Sequence, residues 1–168
     1  MARAENENMN EEGDVRWFDG LYGGLLAGAV VAIFYGIVSV AILHDFSLAG
    51  FFADVASSVI GSHATEHNAV AVALGVGMHF LISAIFGLVY GVLSLKFRSM
   101  WHAPYSVIWG CTYGLLVWAV IANVIVPAFG IVNIMPLWEA LVANVVFFGF
   151  ILSEYITVIR SRNVAATA

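Results

Sequence analysis

Few residues in this chain are equipped for chemistry, and they fall in two places. The string His63-Ala64-Thr65-Glu66-His67 has the His-x-x-Glu-His order of one class of zinc protease. That chemistry needs both imidazoles on one helix face, a third ligand and an open cleft. Here the string lies in a short connection between apolar runs, with no domain to form a cleft, so protease chemistry is not expected. A simpler metal site is a second reading. His44, Asp45, Asp54 and Glu66 fall on the same side as His63 and His67, and imidazole with carboxylate suits zinc or copper. His63 and His67 are the candidate ligands; as ordinary polar loop residues they would bind nothing.

The second place is His79, the only histidine well inside an apolar run. It lies about ten residues into that run, or about 15 Å at helical rise, which is near a bilayer midplane. It shares a four-residue stripe with Gly75, Ser83 and Gly87 and should face other helices. A neutral imidazole in hydrocarbon needs a partner. Asn123, Asn144, a hydroxyl or a carbonyl would serve, and so would a haem, quinone or pigment as bound cofactor. A bis-histidine haem needs a second deep histidine, whereas His44 and His102 lie near opposite surfaces. Asp19, Glu139 and Glu154 sit near the ends of apolar runs, where interfacial anchoring is expected. Asn123 and Asn144 lie deeper and are expected to bond between helices. No serine, cysteine and histidine spacing suggests a triad, and the glycines lie inside apolar runs rather than in a phosphate loop. Neither a catalytic residue nor an obligatory cofactor is indicated.

The elements that position these residues follow from composition. Of 168 residues, 62% are hydrophobic and 10% charged, and mean hydropathy is +0.95. A soluble domain is about 25% charged, so the chain reads as a polytopic membrane protein. Six Lys+Arg against eleven Asp+Glu, a net charge of −5, exclude nucleic acid as a partner. Cys111 is the one cysteine and makes no internal disulfide. Residues 1–19 form an acidic tail with nothing to bury. The acidic flank and the length of the run that follows favour a retained first helix over a cleaved signal. Four runs, about 20–43, 69–95, 105–126 and 135–159, approach the ~20 residues that cross a bilayer core. They are continuously apolar, which excludes a β-barrel. The fold class is therefore all-α, with four transmembrane helices and a tail at 160–168.

All six basic residues fall in the N-terminal tail, the 96–104 loop or the C-terminal tail, and none in 44–68 or 127–134. Both termini are therefore expected in the cytoplasm. Residues 47–60 carry Leu48, Phe51, Phe52, Val55 and Val59 at helical period, with Asp54, Ser57 and Ser58 opposite. This amphipathic helix is too short to span. It would lie in the outer interface or cover its own bundle or a partner subunit. Small residues recur every fourth position at Gly20, Gly24, Gly28, Ala32 and Gly36, at Gly75, Ser83, Gly87 and Gly91, and at Gly110 and Gly114. Such stripes let helix backbones touch in lipid. Residues 21–26 and 111–116 also resemble each other, which two parallel hairpins would explain, although glycine-rich apolar composition produces such matches by itself.

The run 78–91, Met-His-Phe-Leu-Ile-Ser-Ala-Ile-Phe-Gly-Leu-Val-Tyr-Gly, followed by Gly110 and Tyr113-Gly114, resembles a family of small uncharacterised bacterial four-helix integral membrane proteins. The resemblance covers most of residues 20–158. It implies the four-helix fold and a bacterial inner membrane, and carries no activity or site residue with it. Three function classes remain. The first is an accessory subunit packed against other membrane subunits of a larger, possibly respiratory, complex, favoured by the small-residue stripes and the lack of a catalytic set. The second is an electron-transfer subunit that holds a haem, quinone or pigment through His79. The third is a small transporter or channel, which at four helices would act as a homo-oligomer.

Overall fold

The computed structural model describes residues 16–38, 47–102, 104–129 and 137–166. Five helices account for most of it: α1 Trp17–Val38, α2 Leu48–Ile60, α3 Ala69–Lys96, α4 Tyr105–Phe129 and α5, whose apolar part is Trp138–Asn163. No strand occurs among the described residues. All but α2 are long and apolar enough to cross a membrane, so the described residues form an all-helical fold with four candidate spans, which suggests an integral membrane protein. The expected boundaries at residues 1–15, 39–46 and 130–136 lie outside the described residues.

Two boundaries differ from expectation. Pro127 was expected to close the third span, but α4 runs through it to Phe129. The turn before it, Ile121–Ile125, is π-helical. A looser turn next to a proline accommodates the ring and the missing N–H without ending the helix. The fourth span continues past 159 to Ala166, so most of the expected tail is helix. It too contains a π-segment, Ala143–Phe150.

The glycine stripes pack inside the chain. A Cβ on Gly20 would meet Gly91 Cα at 2.6 Å, and one on Gly24 would meet Gly87 Cα at 2.7 Å. α1 and α3 thus cross backbone to backbone. On α4 and α5 the same thing happens: a Cβ on Gly110 would meet the Gly149 carbonyl at 2.6 Å, and one on Gly114 would meet Val145 Cα at 2.8 Å. Dispersion between such close backbones replaces the hydrophobic drive that lipid removes.

These two contacts share one register. Shifting α1 by 90 residues and α3 by 62 carries the Gly20–Gly91 and Gly24–Gly87 contacts onto Gly110–Ser153 and Gly114–Gly149, both of which occur. With that register, positions 20, 24, 25, 26, 29, 30 and 32 carry the same residues as positions 110, 114, 115, 116, 119, 120 and 122. The two hairpins therefore pack in the same register, while the sequence likeness is concentrated in α1 and α4: over residues 75–96 of α3 the matching shift pairs like residues at Phe86 with Phe148 and Gly87 with Gly149. The 28-residue difference between the shifts is the extra connection in the first hairpin, which carries α2.

The hairpins are held together unequally. α1 and α5 pack closely: Phe34 and Phe147 stack with centroids 4.4 Å apart, and Gly23 lies under Leu152 and Tyr155. α3 and α4 are joined by Tyr113, which donates a 2.6 Å bond to the Phe86 carbonyl and meets Tyr90 edge to face at 5.0 Å. In the connection between α3 and α4, His102 Nε2 accepts from Arg160 of α5 at 3.2 Å.

Candidate functional site

Beyond Phe86, towards the α2 end of the bundle, α3 and α4 leave a cavity of about 400 Å³ between them. Ligand pockets span about 300–1,000 Å³ and are mostly apolar with a few polar groups. This one fits both criteria. Its walls come in equivalent pairs from the two hairpins: Val31 with Ile121, Tyr35 with Ile125, Met78 with Ala140, Ile82 with Asn144, and Phe86 with Phe148. The cavity therefore straddles the axis that relates the repeats. Its fifth wall has no counterpart. α2 supplies Phe51, Asp54, Val55 and Ser58.

α2 is placed by its caps and by a glycine. Ser47 accepts from Gly50 N at 2.9 Å and donates to Glu66 at 2.6 Å, which ties the start of the helix to the turn before α3. Gly75 lets the backbone of Phe52 sit directly on α3, where a Cβ would meet the Phe52 carbonyl group. Gly61, at φ +60°, turns the chain back towards α3, a conformation that suits glycine. Phe52, Ala53 and Ala56 are buried. α2 thus covers its own bundle, and the expected outward polar face is corrected in part, since Asp54 and Ser58 line the cavity.

His79 lines the cavity as well. Its Nε2 lies 2.9 Å from the Gly28 carbonyl. A carbonyl only accepts, so Nε2 carries the proton, and the neutral ring leaves Nδ1 as an acceptor. The rings of Phe51, Phe52 and Phe80 surround the imidazole edge-on at 5.3–5.8 Å. In the second hairpin Trp118 stands in the place of Gly28 and Leu141 in the place of His79. Only one of the two equivalent positions is polar.

The two asparagines bond within their own helices, not between them. Asn123 donates to the Ala119 carbonyl and Asn144 to the Ala140 carbonyl, each at 2.8 Å. Both lie in π-segments, where the disrupted i→i−4 ladder leaves carbonyls for side chains to serve.

Glu139 departs further from expectation. It is no headgroup anchor: its side chain is 0% exposed, and neither carboxylate oxygen has a hydrogen-bond partner. It precedes Ala140, a wall residue, but does not itself line the cavity. The Trp118 indole N–H is likewise buried without a partner. Sequence position alone put Glu139 near a surface; only packing shows that it is sealed. Asp19 is also buried rather than at the headgroups. It accepts from Arg16 N at 2.7 Å and faces the Arg16 guanidinium at 3.8 Å.

The His63–His67 string falls between helices and not on one. His63 ends the 3-10 turn Gly61–His63, and α3 starts only at Ala69, so the two imidazoles do not share a helix face. His67 is 90% exposed beside Glu66 at 3.6 Å. Among the described residues no three His, Cys, Asp or Glu side chains converge. His44 and Asp45 lie outside the described residues.

No family model, curated protein or solved structure matches this chain.

Proposed function

We propose that this chain binds a small, largely apolar molecule within the membrane, in the cavity between its two hairpins. One observation carries the reading: both hairpins contribute equivalent residues to one ligand-sized space. In proteins built from repeated membrane segments, the binding site is commonly at the repeat interface. This belongs with the cofactor- and solute-binding classes of function, with His79 as a polar contact. A quinone, haem or pigment is one kind of occupant and a transported solute another. The accessory-subunit reading rests on the small-residue stripes, which are occupied by α1–α3 and α4–α5 contacts within the chain, and on the lack of a catalytic set, which still supports it. The split of Lys and Arg supports both termini in the cytoplasm, and the family resemblance a bacterial inner membrane.

Thermal unfolding of the purified protein in mild detergent tests this. A panel of aromatic compounds with quinone, quinol, amide and ammonium head groups should contain members that raise the midpoint, because a ligand that binds only the folded state stabilises it. Ala140→Trp fills the cavity and should remove every such shift. No shift from any compound, or shifts that survive in Ala140→Trp, would sink the reading.

A further inference from the structure

The occupant's polarity can be read from the groups around the cavity. We infer that the site takes a neutral phenol, an aromatic hydroxyl on an apolar body, whose O–H donates to His79 Nδ1. This rests on the cavity being a binding site. Tyr35 and Ser83 line it and are each only 6% exposed, yet neither hydroxyl makes a hydrogen bond among the described residues. His79 commits its N–H to Gly28, so Nδ1 is an acceptor only, and nothing among the described residues donates to it. None of these three atoms is sealed; among the described residues the sealed atoms without a partner belong to Trp118 and Glu139. The space that the three open on is the cavity that their residues line.

The polar groups all stand on one side. In the shared register Ile125, Leu141 and Val145 take the places of Tyr35, His79 and Ser83, so the second hairpin offers an apolar wall. Its one polar wall residue, Asn144, gives an amide N–H to its own helix. The occupant should therefore be polar at one edge and apolar at the other. It should also be uncharged: no Lys or Arg lines the cavity, and the Asp54 side of the wall is already engaged. An ion of either sign would be buried without a free counter-charge, which is costly. His79 and Ser83 lie one turn apart on α3, and both abut Gly28. One hydroxyl can serve both, donating to Nδ1 and accepting from Ser83. The rings of Tyr35, Phe51, Phe86 and Phe148 favour an aromatic carrier for that hydroxyl.

Titration calorimetry in mild detergent separates the hydroxyl from the shape. The probes are para-butylphenol and its methyl ether, para-butylanisole, which accepts a hydrogen bond but donates none. The phenol should bind about tenfold more tightly, because the ether leaves Nδ1 unpaired. His79→Leu, which copies Leu141 of the second hairpin, should bring the two affinities within about threefold of each other. Comparing the ratio between parent and variant cancels partition of the probes into detergent. If His79→Leu does not fold, nitrogen NMR of the parent protein decides: the Nδ1 resonance should move upfield with the phenol and stay in place with the ether. Equal affinities, a preference for the ether, a preference that survives in folded His79→Leu, or an Nδ1 resonance indifferent to the phenol would overturn the inference. Ether binding that Ala140→Trp abolishes, without preference for the phenol, would leave the cavity reading standing and reject the hydroxyl. Silence of both probes rejects the phenol as well, and the wider panel then decides the cavity separately.

Discussion

Gly24 and Gly87 touch through their backbones: a Cβ on Gly24 would stand 2.7 Å from Gly87 Cα and 3.0 Å from Gly87 N. No rotamer relieves such a contact, so the two helices must part to admit even a methyl group. Gly24→Ala should therefore destabilise by about 1–3 kcal/mol, the range for overpacking a close interior. Gly77, on the exposed side of α3, has nothing within 4 Å of its would-be Cβ. Gly77→Ala should stabilise by up to about 1 kcal/mol through helix propensity. Thermal unfolding in detergent compares the two. Equal effects would mean that the stripe faces lipid.

Tyr113 is the clasp between α3 and α4 where the cavity closes. Tyr113→Phe keeps the ring against Tyr90 and removes the 2.6 Å bond to the Phe86 carbonyl. A loss of about 0.5–1.5 kcal/mol is expected, the net worth of one hydrogen bond. Binding of any compound that the cavity takes should change with it, because Phe86 is both acceptor and wall. A variant as stable as the parent would show that the bond contributes nothing to joining the hairpins.

His79 has a structural bond whatever it binds. His79→Ala removes the contact with Gly28 and should cost about 0.6–2 kcal/mol, the span measured for polar contacts between membrane helices. The isolated wild-type protein should show no haem Soret band. A Soret band that vanished in His79→Ala would make the imidazole an iron ligand and a haem the occupant.

Orientation has its own test. A reporter fused after Arg162 should read cytoplasmic, and one inserted beside His63 external, because cytoplasmic segments of membrane proteins carry the excess of Lys and Arg and all six here fall in the termini and the 96–104 loop. A cytoplasmic signal from the His63 insertion would invert the whole arrangement.

Membrane spans are legible in a sequence because hydrocarbon imposes a simple, local rule: about twenty apolar residues, with backbone bonds satisfied within the segment. The four long helices follow from that rule. So does α2, whose Ser47 cap and 3.6-residue period are local properties. The small-residue stripes were equally plain, but a stripe says only that something packs close. That α1 meets α3, and α4 meets α5 in the same register, is a property of pairs far apart in sequence. That register is visible in the fold and not in the six-residue likeness. The asparagines show the same limit. Their types promised a hydrogen bond, and the π-turns, which no residue type announces, decided that it would be to their own helix. Glu139 is the sharpest instance. Two residues into its helix it reads as a headgroup anchor, since distance along a span is all that one dimension offers. Burial depends on what lies across from it, and the fold alone encloses that carboxyl with neither oxygen hydrogen-bonded.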